Sequence, residues 1–404
     1  MSLISLKGVE YILNFALFPY LVRVLGVERF GAVAFMQGIV QYGIILVDYG
    51  FNLTGPRDIA RANSTKEIGR IFSNIMVSKC LLFLCITLIS FVALRFLSST
   101  GYEFDRSLYW VVYLMVVGNL VFPVWFFQGI QQMRYITIFN ILARSITVIL
   151  VFIFVDTPED YILAAFFQSV TMLLAGCFSI VILKRNFSFI FVKPTINGIK
   201  KTFIDGWHIF LSTIAINIYT TTNIVLLGML SNNTIVGYFS TANKLIDCVK
   251  GVMFTLNQAV YPYVNDKIKA GREVAFLFIK KYFYFYSGST LIGGIILFIT
   301  APYIIYLLFG SGYDESTHIL RLMSCLPFII SVSNVFGIQV MLNFGYQKIF
   351  SRILLLAAIF DCSLIVPLIR FFQGYGVAIT MILVESLVTI STSIYVMKKM
   401  LWKI

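Results

Sequence analysis

The residues of this sequence that could do chemistry are charged and amide side chains placed inside long apolar runs. The clearest set is Lys244, Asp247 and Lys250, which follow one another at intervals of three residues. In an α-helix this spacing puts the three side chains on one face, and Asp247 can pair with either lysine. A charged side chain is costly in an apolar environment, so such a face usually lines a wet cavity or meets a partner. The pattern predicts a polar helix face with an excess of positive charge.

Similar polar positions occur in other apolar runs. We predict that a polar cavity is lined by Arg144, Lys244, Lys250, Asn140, Asn217, Asn243 and Asn257. The acidic side chains that could take up a proton or a sodium ion are Glu10, Asp247, Asp361 and Glu385. For each of these residues the alternative is an internal ion pair or hydrogen bond that only fixes helix packing.

No catalytic set can be assembled from the remaining residues. The two histidines, His208 and His318, lie far apart, and no serine–histidine–acid set or metal-ligand spacing accompanies them. We therefore expect a protein that is not an enzyme and binds no cofactor or metal. The six cysteines fall in or beside apolar runs, so we predict buried free thiols rather than disulfides or ligands. They are Cys80, Cys85, Cys177, Cys248, Cys325 and Cys362.

The composition places these residues in a membrane. Hydrophobic residues make up 59% of the chain and charged residues 12%, with a mean hydropathy of +0.90. A soluble domain has about a quarter of its residues charged, so this composition indicates a polytopic, all-α membrane protein. The net charge of +13 does not require a nucleic-acid partner, because basic cytoplasmic loops give the same excess.

Apolar runs long enough to cross a bilayer, about 20 residues each, predict twelve transmembrane helices. Their approximate bounds are 9–26, 31–51, 74–96, 108–128, 136–155, 161–183, 209–230, 235–261, 282–308, 319–343, 350–372 and 374–397.

The distribution of basic residues predicts the orientation. With the N-terminus inside, most of the 31 lysines and arginines fall on cytoplasmic segments. Because cytoplasmic loops are enriched in basic residues, both termini are expected in the cytoplasm. The polar segment 47–70 is then cytoplasmic, and its two glycosylation sequons, at Asn52 and Asn63, are chance matches. Within it, Arg57, Asp58 and Arg61 are expected to act in cytoplasmic gating or capture of the substrate head group, or to serve as topology anchors and ion-pair partners between the lobes.

Further side chains near predicted helix ends are expected at the membrane interface. We expect Lys79 and Arg352 to extend toward water from their helix ends, and Asp48 to pair with a nearby arginine. Three of the four tryptophans, Trp110, Trp125 and Trp207, are predicted to be interfacial anchors.

The chain also shows signs of an internal duplication. Gly31 and Pro56, at the start and just past the end of predicted helix 2, recur as Gly237 and Pro262 around helix 8. Together with the six-plus-six helix count, this favours two parallel repeats. We therefore predict an N-terminal six-helix lobe at 1–183, a basic cytoplasmic linker at 184–208 and a C-terminal six-helix lobe at 209–404. The linker is either an amphipathic interfacial stretch or a solvated basic segment.

Several blocks spread along the chain resemble the bacterial polysaccharide transporter family, in particular Wzx-type O-antigen flippases. The blocks are YLVRVLGVERFG (20–31), DYGFNLTGPRDIAR (48–61), IDGWHIFLS (204–212), NIVLLGMLSNNTIVGYFSTANKLI (223–246) and LLFGSGYDESTHILRLMS (307–324). The resemblance implies the fold of the multidrug/oligosaccharidyl-lipid/polysaccharide exporters, with twelve helices in two lobes.

The resemblance also implies a function. The substrate would be an undecaprenyl-diphosphate-linked oligosaccharide, moved from the inner to the outer leaflet of the bacterial cytoplasmic membrane by alternating access. A cationic cavity containing Arg144, Lys244 and Lys250 would offset the diphosphate charge. Partners would be the lipid bilayer, a polysaccharide polymerase and a chain-length regulator, with proton or sodium coupling. Two alternatives stay open, a multidrug/cation antiporter of the same fold and a membrane-embedded polysaccharide polymerase or transferase.

Overall fold

The computed structural model describes residues 3–99, 104–186 and 192–399, and all regular structure in these ranges is helical. They form two compact units, Met1–Ile214 and Ala215–Ile404. The all-α prediction is confirmed. Because the first unit extends to Ile214, it includes the described part of the predicted linker at 184–208, while residues 187–191 of that linker lie outside the described ranges.

Thirteen α-helices are described in these ranges. The first unit contains α1 (Leu3–Asp48), α2 (Phe51–Arg61), α3 (Thr65–Ser99), α4 (Arg106–Val121), α5 (Val124–Gly129), α6 (Met133–Phe154), the 3-10 turn Pro158–Asp160, α7 (Tyr161–Asn186) and the beginning of α8 (Ile196–Leu230). The second unit contains the end of α8, α9 (Asn233–Ala270), α10 (Arg272–Phe309), α11 (Asp314–Met323), α12 (Leu326–Asn334), the π-helix Val335–Leu342 and α13 (Gln347–Lys398).

Two of the long helices each cover a pair of predicted spans. Helix α1 has non-helical backbone at Gly26, and α13 has it at Gln373. Eight stretches of the described residues are long and apolar enough to cross a membrane. Helix α9 is absent from this set, because its polar face lowers its hydropathy. The count of twelve crossings and the orientation of the termini stay predictions.

One proline marks a helix break that the apolar pattern missed. Predicted helix 4 (108–128) is divided at Pro123 into α4 and α5, since proline lacks the N–H that would continue the ladder. In contrast, Pro56 and Pro262 lie inside α2 and α9. Pro56 does follow the end of α1, as predicted, but it lies inside the next helix. The prediction that Pro262 follows the end of its helix was wrong, because α9 continues to Ala270. The turn before α2 is made by Gly50, whose φ of 80° favours glycine.

The core of the first unit is aromatic and lies around α2, α3 and α5. Trp125 is 0% exposed, and its indole packs beside Phe72 with the ring centroids 5.4 Å apart. Gly55 permits this packing, because a Cβ there would lie 2.8 Å from the Trp125 ring. The prediction of an interfacial anchor was wrong for Trp125, whose indole fills the space between helices. Trp110 and Trp207 are exposed.

The cysteine prediction was wrong about burial. All six thiols are free, and all six residues are exposed on their helices. Many large apolar side chains are exposed too, for example Leu84, Phe285 and Phe371. In a chain with this hydropathy, a bilayer would cover such surfaces instead of a protein core. The sequence pattern identified apolar surroundings correctly but did not separate lipid-facing from core positions.

Candidate functional site

The polar face of α9 keeps its charges near the surface of the second unit. Lys244 and Asp247 are exposed and Lys250 is half-buried. Asp247 accepts a hydrogen bond from Asn243 Nδ2 at 3.0 Å and lies 3.7 Å from Lys250 Nζ. Lys244 forms no ion pair within the described part of the chain. One cation is therefore held by the carboxylate while the other remains available, which gives this face a net positive charge.

Two of the four acidic candidates lie on α13, the long helix beside α9. The half-buried Glu385 lies within electrostatic range of Lys250, so these two charges belong to one neighbourhood. Asp361 is 1% exposed, and its Oδ2 has no hydrogen-bond partner among the described residues. A buried polar atom without a partner is costly. The side chain of the fourth candidate, Glu10, lies outside the described part of the structure.

Asn257, also on α9, has a different environment from the lysines. It is 4% exposed, and its Nδ2 donates to Tyr286 Oη at 2.7 Å and to the Met253 carbonyl at 3.1 Å. Tyr282 Oη donates to Asn257 Oδ1 at 3.2 Å, and Gln339 Nε2 donates to its backbone carbonyl at 3.3 Å. The structure thus gives Asn257 a set of internal partners. Its predicted contact with substrate stays a prediction.

The polar residues of the predicted span 136–155 also differ from one another in burial. On α6, Thr147 is buried and its hydroxyl lies 2.6 Å from that of Thr171 on α7. Asn140 and Arg144 are half-buried on the same helix. Asn217 is half-buried on α8. These three residues stay candidates for the cavity, and the structure places Arg144 and Asn140 in the first unit and Asn217 in the second.

Helix α2 carries the three residues predicted as a gate or anchor. Arg57 Nε donates to Asp58 Oδ1 at 2.8 Å, and the two side chains are 40% and 33% exposed. Arg57 lines a cavity of about 1120 Å³ together with Gln128, Gln132 and Arg134. A second, more polar cavity lies beside Asp58 and Arg61. Helix α2 therefore borders two openings at the end of the first unit that the charge pattern assigns to the cytoplasm.

The structure also contains a charged site that was not predicted. Lys79 is 1% exposed, and its Nζ donates to Asp48 Oδ1 at 2.9 Å and to the Asn119 carbonyl at 3.1 Å. Asp48 also accepts from Asn119 Nδ2 at 2.8 Å and from Asn52 Nδ2 at 2.9 Å. The expectation that Lys79 extends toward water was wrong, as was the expectation of an arginine partner for Asp48. The sequence did carry a signal for this pair, because Asp48 and Lys79 have opposite charges and lie near the predicted cytoplasmic ends of two neighbouring spans.

Within the described residues, no three histidine, cysteine, aspartate or glutamate side chains converge as metal ligands would. The chemistry of the site is therefore that of lysine, arginine, amide and isolated carboxylate groups. Such groups can bind an anion or a polyhydroxylated ligand through charge-assisted hydrogen bonds.

Solved structures similar to this chain belong to membrane transporters. The lipid II flippase MurJ, in an inward closed conformation, matches with a TM-score of 0.77 and 12% identity over 97% of this chain and 86% of that one. An inward-facing multidrug resistance MATE family transporter of the MOP superfamily matches with a TM-score of 0.73 and 14% identity over 99% and 95%. At these identities the likeness shows the fold, and it confirms the exporter-like fold expected from the sequence.

Closer relatives are found by sequence. A family model described as "Polysaccharide biosynthesis protein" matches residues 1–266. A protein of Escherichia coli (strain K12) is 38% identical over 387 residues, which cover 95% of this chain and 92% of that one. A protein of Shigella dysenteriae is 30% identical over 390 residues, covering 96% of each chain. Both carry the name "Putative O-antigen transporter". The chain therefore belongs to the polysaccharide biosynthesis protein family, as a multi-pass membrane protein similar to O-antigen transporters.

Proposed function

We propose that this protein is a flippase for undecaprenyl-diphosphate-linked oligosaccharides. It would carry O-antigen or related polysaccharide repeat units from the inner to the outer leaflet of the bacterial cytoplasmic membrane. The names of its relatives and the fold shared with a lipid II flippase support this assignment. The observation that carries it is the exposed, net cationic face of α9, with Lys244 and Lys250 flanking Asp247.

The substrate chemistry matches that face. A diphosphate needs cationic donors, and its attraction to them is stronger in a low-dielectric site than in water. Lys244, which has no ion pair within the described residues, would bind the diphosphate directly. Lys250 would leave its ion pair with Asp247 and bind the diphosphate as well. Amide groups of Asn243 and Asn140 would bind sugar hydroxyls. Transport would follow by alternating access, with the lipid tail remaining in the bilayer.

Ion coupling is the second part of the proposal. Asp361, buried with an unpartnered carboxylate oxygen, and Glu385, near Lys250, are the carboxylates best placed to take up a proton or sodium ion. Protonation would remove the cost of burying an unpaired charge. Once the repeat unit reaches the outer leaflet, a polysaccharide polymerase and a chain-length regulator would be the next partners.

A multidrug/cation antiporter is the second candidate, because a MATE transporter shares the fold. Cationic drugs need an anionic cavity, whereas the α9 face carries two lysines for one aspartate. A membrane-embedded polymerase or transferase is the third candidate, and the relatives named as transporters disfavour it.

The test is complementation of a deletion strain by single variants. We expect Lys244→Ala, Lys250→Ala and Arg144→Ala each to lower surface polysaccharide about tenfold or more, because a hydrogen bond to a charged group contributes about 1.5–3 kcal/mol. Lipid-linked repeat units should accumulate on the cytoplasmic leaflet. In vesicles with constant substrate supply, collapsing the proton gradient should slow transfer of the wild-type protein.

Lys269→Ala is the matched control, because Lys269 lies on the same helix but is exposed and pairs with Asp266. It should support normal export. Normal surface polysaccharide from all three test variants at normal expression would show that the cationic-site idea is wrong. Transfer that does not change when the gradient collapses would argue for passive facilitation.

A further inference from the structure

A polar cavity of about 480 Å³ lies where the end of α2, the first turns of α3 and the first turns of α8 meet in the first unit. This volume falls within the roughly 300–1,000 Å³ range of small-ligand pockets. All three segments belong to the end of the unit that the charge pattern assigns to the cytoplasm. None of the residues predicted to line the membrane cavity contributes to it.

Three cations line this cavity, one from each segment. They are Arg61 of α2, Arg70 of α3 and Lys201 of α8. The hydrogen bonds of the helix backbone aside, the three side chains form no ion pair or hydrogen bond with another residue in the described ranges. Three basic side chains that converge from separate elements without an internal partner form an anion-binding arrangement.

Three carboxylates also line the cavity, and none of them forms an ion pair with these cations among the described residues. Asp58 is paired with Arg57 at 2.8 Å. Glu67 accepts the Asn63 backbone N–H at 3.0 Å, and the Glu67 N–H donates to Ser64 Oγ, so both bonds cap the start of α3. Asp205 is the third carboxylate, and it lies within electrostatic range of Arg57.

A fourth group indicates what the anion carries. Asn74 of α3 lines the cavity, is 8% exposed, and has a side-chain oxygen without a hydrogen-bond partner among the described residues. This oxygen accepts hydrogen bonds and cannot donate one. A fully ionised phosphate offers it nothing, whereas a hydroxyl or amide N–H does. The cavity therefore fits a ligand that has donor groups next to its phosphates.

The first turn of α8 completes the arrangement. Thr195 Oγ accepts the Gly198 N–H at 3.1 Å, so the first turn of α8 is capped where it forms part of the cavity wall. Gly198 allows the close approach, because a Cβ there would lie 2.5 Å from Asn74 Nδ2. The glycine, the cap and the buried amide form one connected wall.

We infer that this cavity is a docking site for a sugar diphosphate, with Arg61, Arg70 and Lys201 on the phosphates and Asn74 on a sugar donor group. Two sources offer this chemistry, the head group of a lipid-linked oligosaccharide and a soluble nucleoside diphosphate sugar. Assigning the lipid-linked source rests on the proposed function, while binding of the soluble form does not. In the lipid-linked case the site would receive the head group before it enters the membrane.

The test is binding to the full chain in phosphatidylcholine nanodiscs, which contain no anionic lipid. The probes are inorganic pyrophosphate, uridine diphosphate N-acetylglucosamine and a farnesyl-diphosphate-linked N-acetylglucosamine. Arg61→Gln, Arg70→Gln and Lys201→Gln should each weaken all three about tenfold, since a tenfold change in Kd corresponds to about 1.4 kcal/mol. Asn74→Leu and Gly198→Ala should weaken the two sugar probes and leave pyrophosphate within twofold.

Lys66→Gln and Lys200→Gln are the matched controls, because each removes an exposed lysine near the cavity that does not line it. Both should bind all probes as the wild type does. Wild-type affinity in the three cation variants would overturn the site. Equal losses of pyrophosphate and sugar probes in Asn74→Leu would overturn the sugar assignment.

The two proposals can fail separately. Cavity-dependent binding of the soluble probe by a protein that moves no lipid-linked repeat units would support the site and contradict the proposed function. Normal transport by the wild type and by the three cation variants, without cavity-dependent binding, would contradict the site alone. Competition between the farnesyl-linked and soluble probes would show that they share the cavity. A farnesyl-linked probe that binds at least tenfold more tightly would assign the lipid-linked source, and the reverse order would assign the soluble one.

Discussion

At the scale of single residues, burial separates polar side chains that look alike in the sequence. Lys79 and Lys244 both lie in apolar runs of the sequence. Lys79 is 1% exposed and donates to two acceptors, whereas Lys244 is exposed and has no ion pair among the described residues. A buried ion pair is retained only when hydrogen bonds satisfy both partners. The Asp48–Lys79 pair meets that condition through Asn119, which both accepts from the lysine and donates to the aspartate.

This pair gives a stability prediction. Lys79→Met should lower the free energy of unfolding by about 3–5 kcal/mol, because it leaves the Asp48 carboxylate without its cation. Thermal unfolding in detergent and the amount of inserted protein would measure the loss. The double variant Asp48→Asn/Lys79→Met should recover much of it, since an uncharged amide can still accept from Asn119.

Arg352→Met is the control for that experiment. Arg352 is exposed on α13, so its removal should change stability by no more than about 0.5 kcal/mol. Equal unfolding temperatures for Lys79→Met and Arg352→Met would show that the buried pair has no structural role.

At the scale of helices, glycines decide how closely two elements approach. Helix α4 packs on α7 at Gly118, where a Cβ would lie 2.7 Å from the Leu173 backbone nitrogen and 2.7 Å from Met172 Cβ. Small residues at such interfaces let helix backbones approach closely in a membrane. Because the contact is with backbone, no side-chain rotation could relieve it.

Gly118→Ala should therefore destabilise the first unit by about 1–3 kcal/mol, the usual cost of overpacking. Gly293→Ala on α10 is the matched control, because nothing lies within 4 Å of the Cβ it would add. That variant should be neutral or more stable by up to about 1 kcal/mol through better helix propensity. Thermal unfolding of both variants in the same detergent measures the difference. Similar losses of stability in the two variants would contradict the close-packing argument.

At the scale of the whole molecule, charge decides which way the chain lies in the membrane. The basic segment around α2 and the beginning of α3 is expected inside, and the acidic turn Pro158–Asp160 outside. The lipid-linked assignment of the α2–α3–α8 cavity depends on this orientation, because a lipid-linked substrate made in the cytoplasm would meet that cavity first.

Labelling with a membrane-impermeant maleimide tests the orientation. All six native cysteines are exposed, so they must first be replaced by serine. In that background, Lys66→Cys should react in inside-out vesicles but not in intact spheroplasts, and Glu159→Cys should show the opposite pattern. The reverse result for both positions would place the α2 segment outside and contradict a cytoplasmic location for the α2–α3–α8 cavity.

Composition and residue spacing were enough to predict the all-α membrane class, most of the apolar helical stretches and the cationic face around Lys244. These properties depend on composition and helical spacing, which are local and therefore visible in the chain. Residue blocks also indicated the family, and the sequence relatives confirm it. The helix breaks at Gly26 and Gln373 lie where the apolar pattern ends one predicted span and begins the next. The helical surroundings of Pro56 and Pro262 escaped local reasoning, because packing of neighbouring elements overrides residue preference.

Tertiary structure alone decided which polar residues lie at a surface. Asn257 and Lys250 share a helix, yet Asn257 is enclosed by tyrosines of α10 while Lys250 reaches Asp247. The cavity that joins Arg61, Asn74 and Lys201 depends on segments far apart in the chain. Burial and hydrogen-bond satisfaction arise between elements, and the spacing of residues along one helix does not contain them.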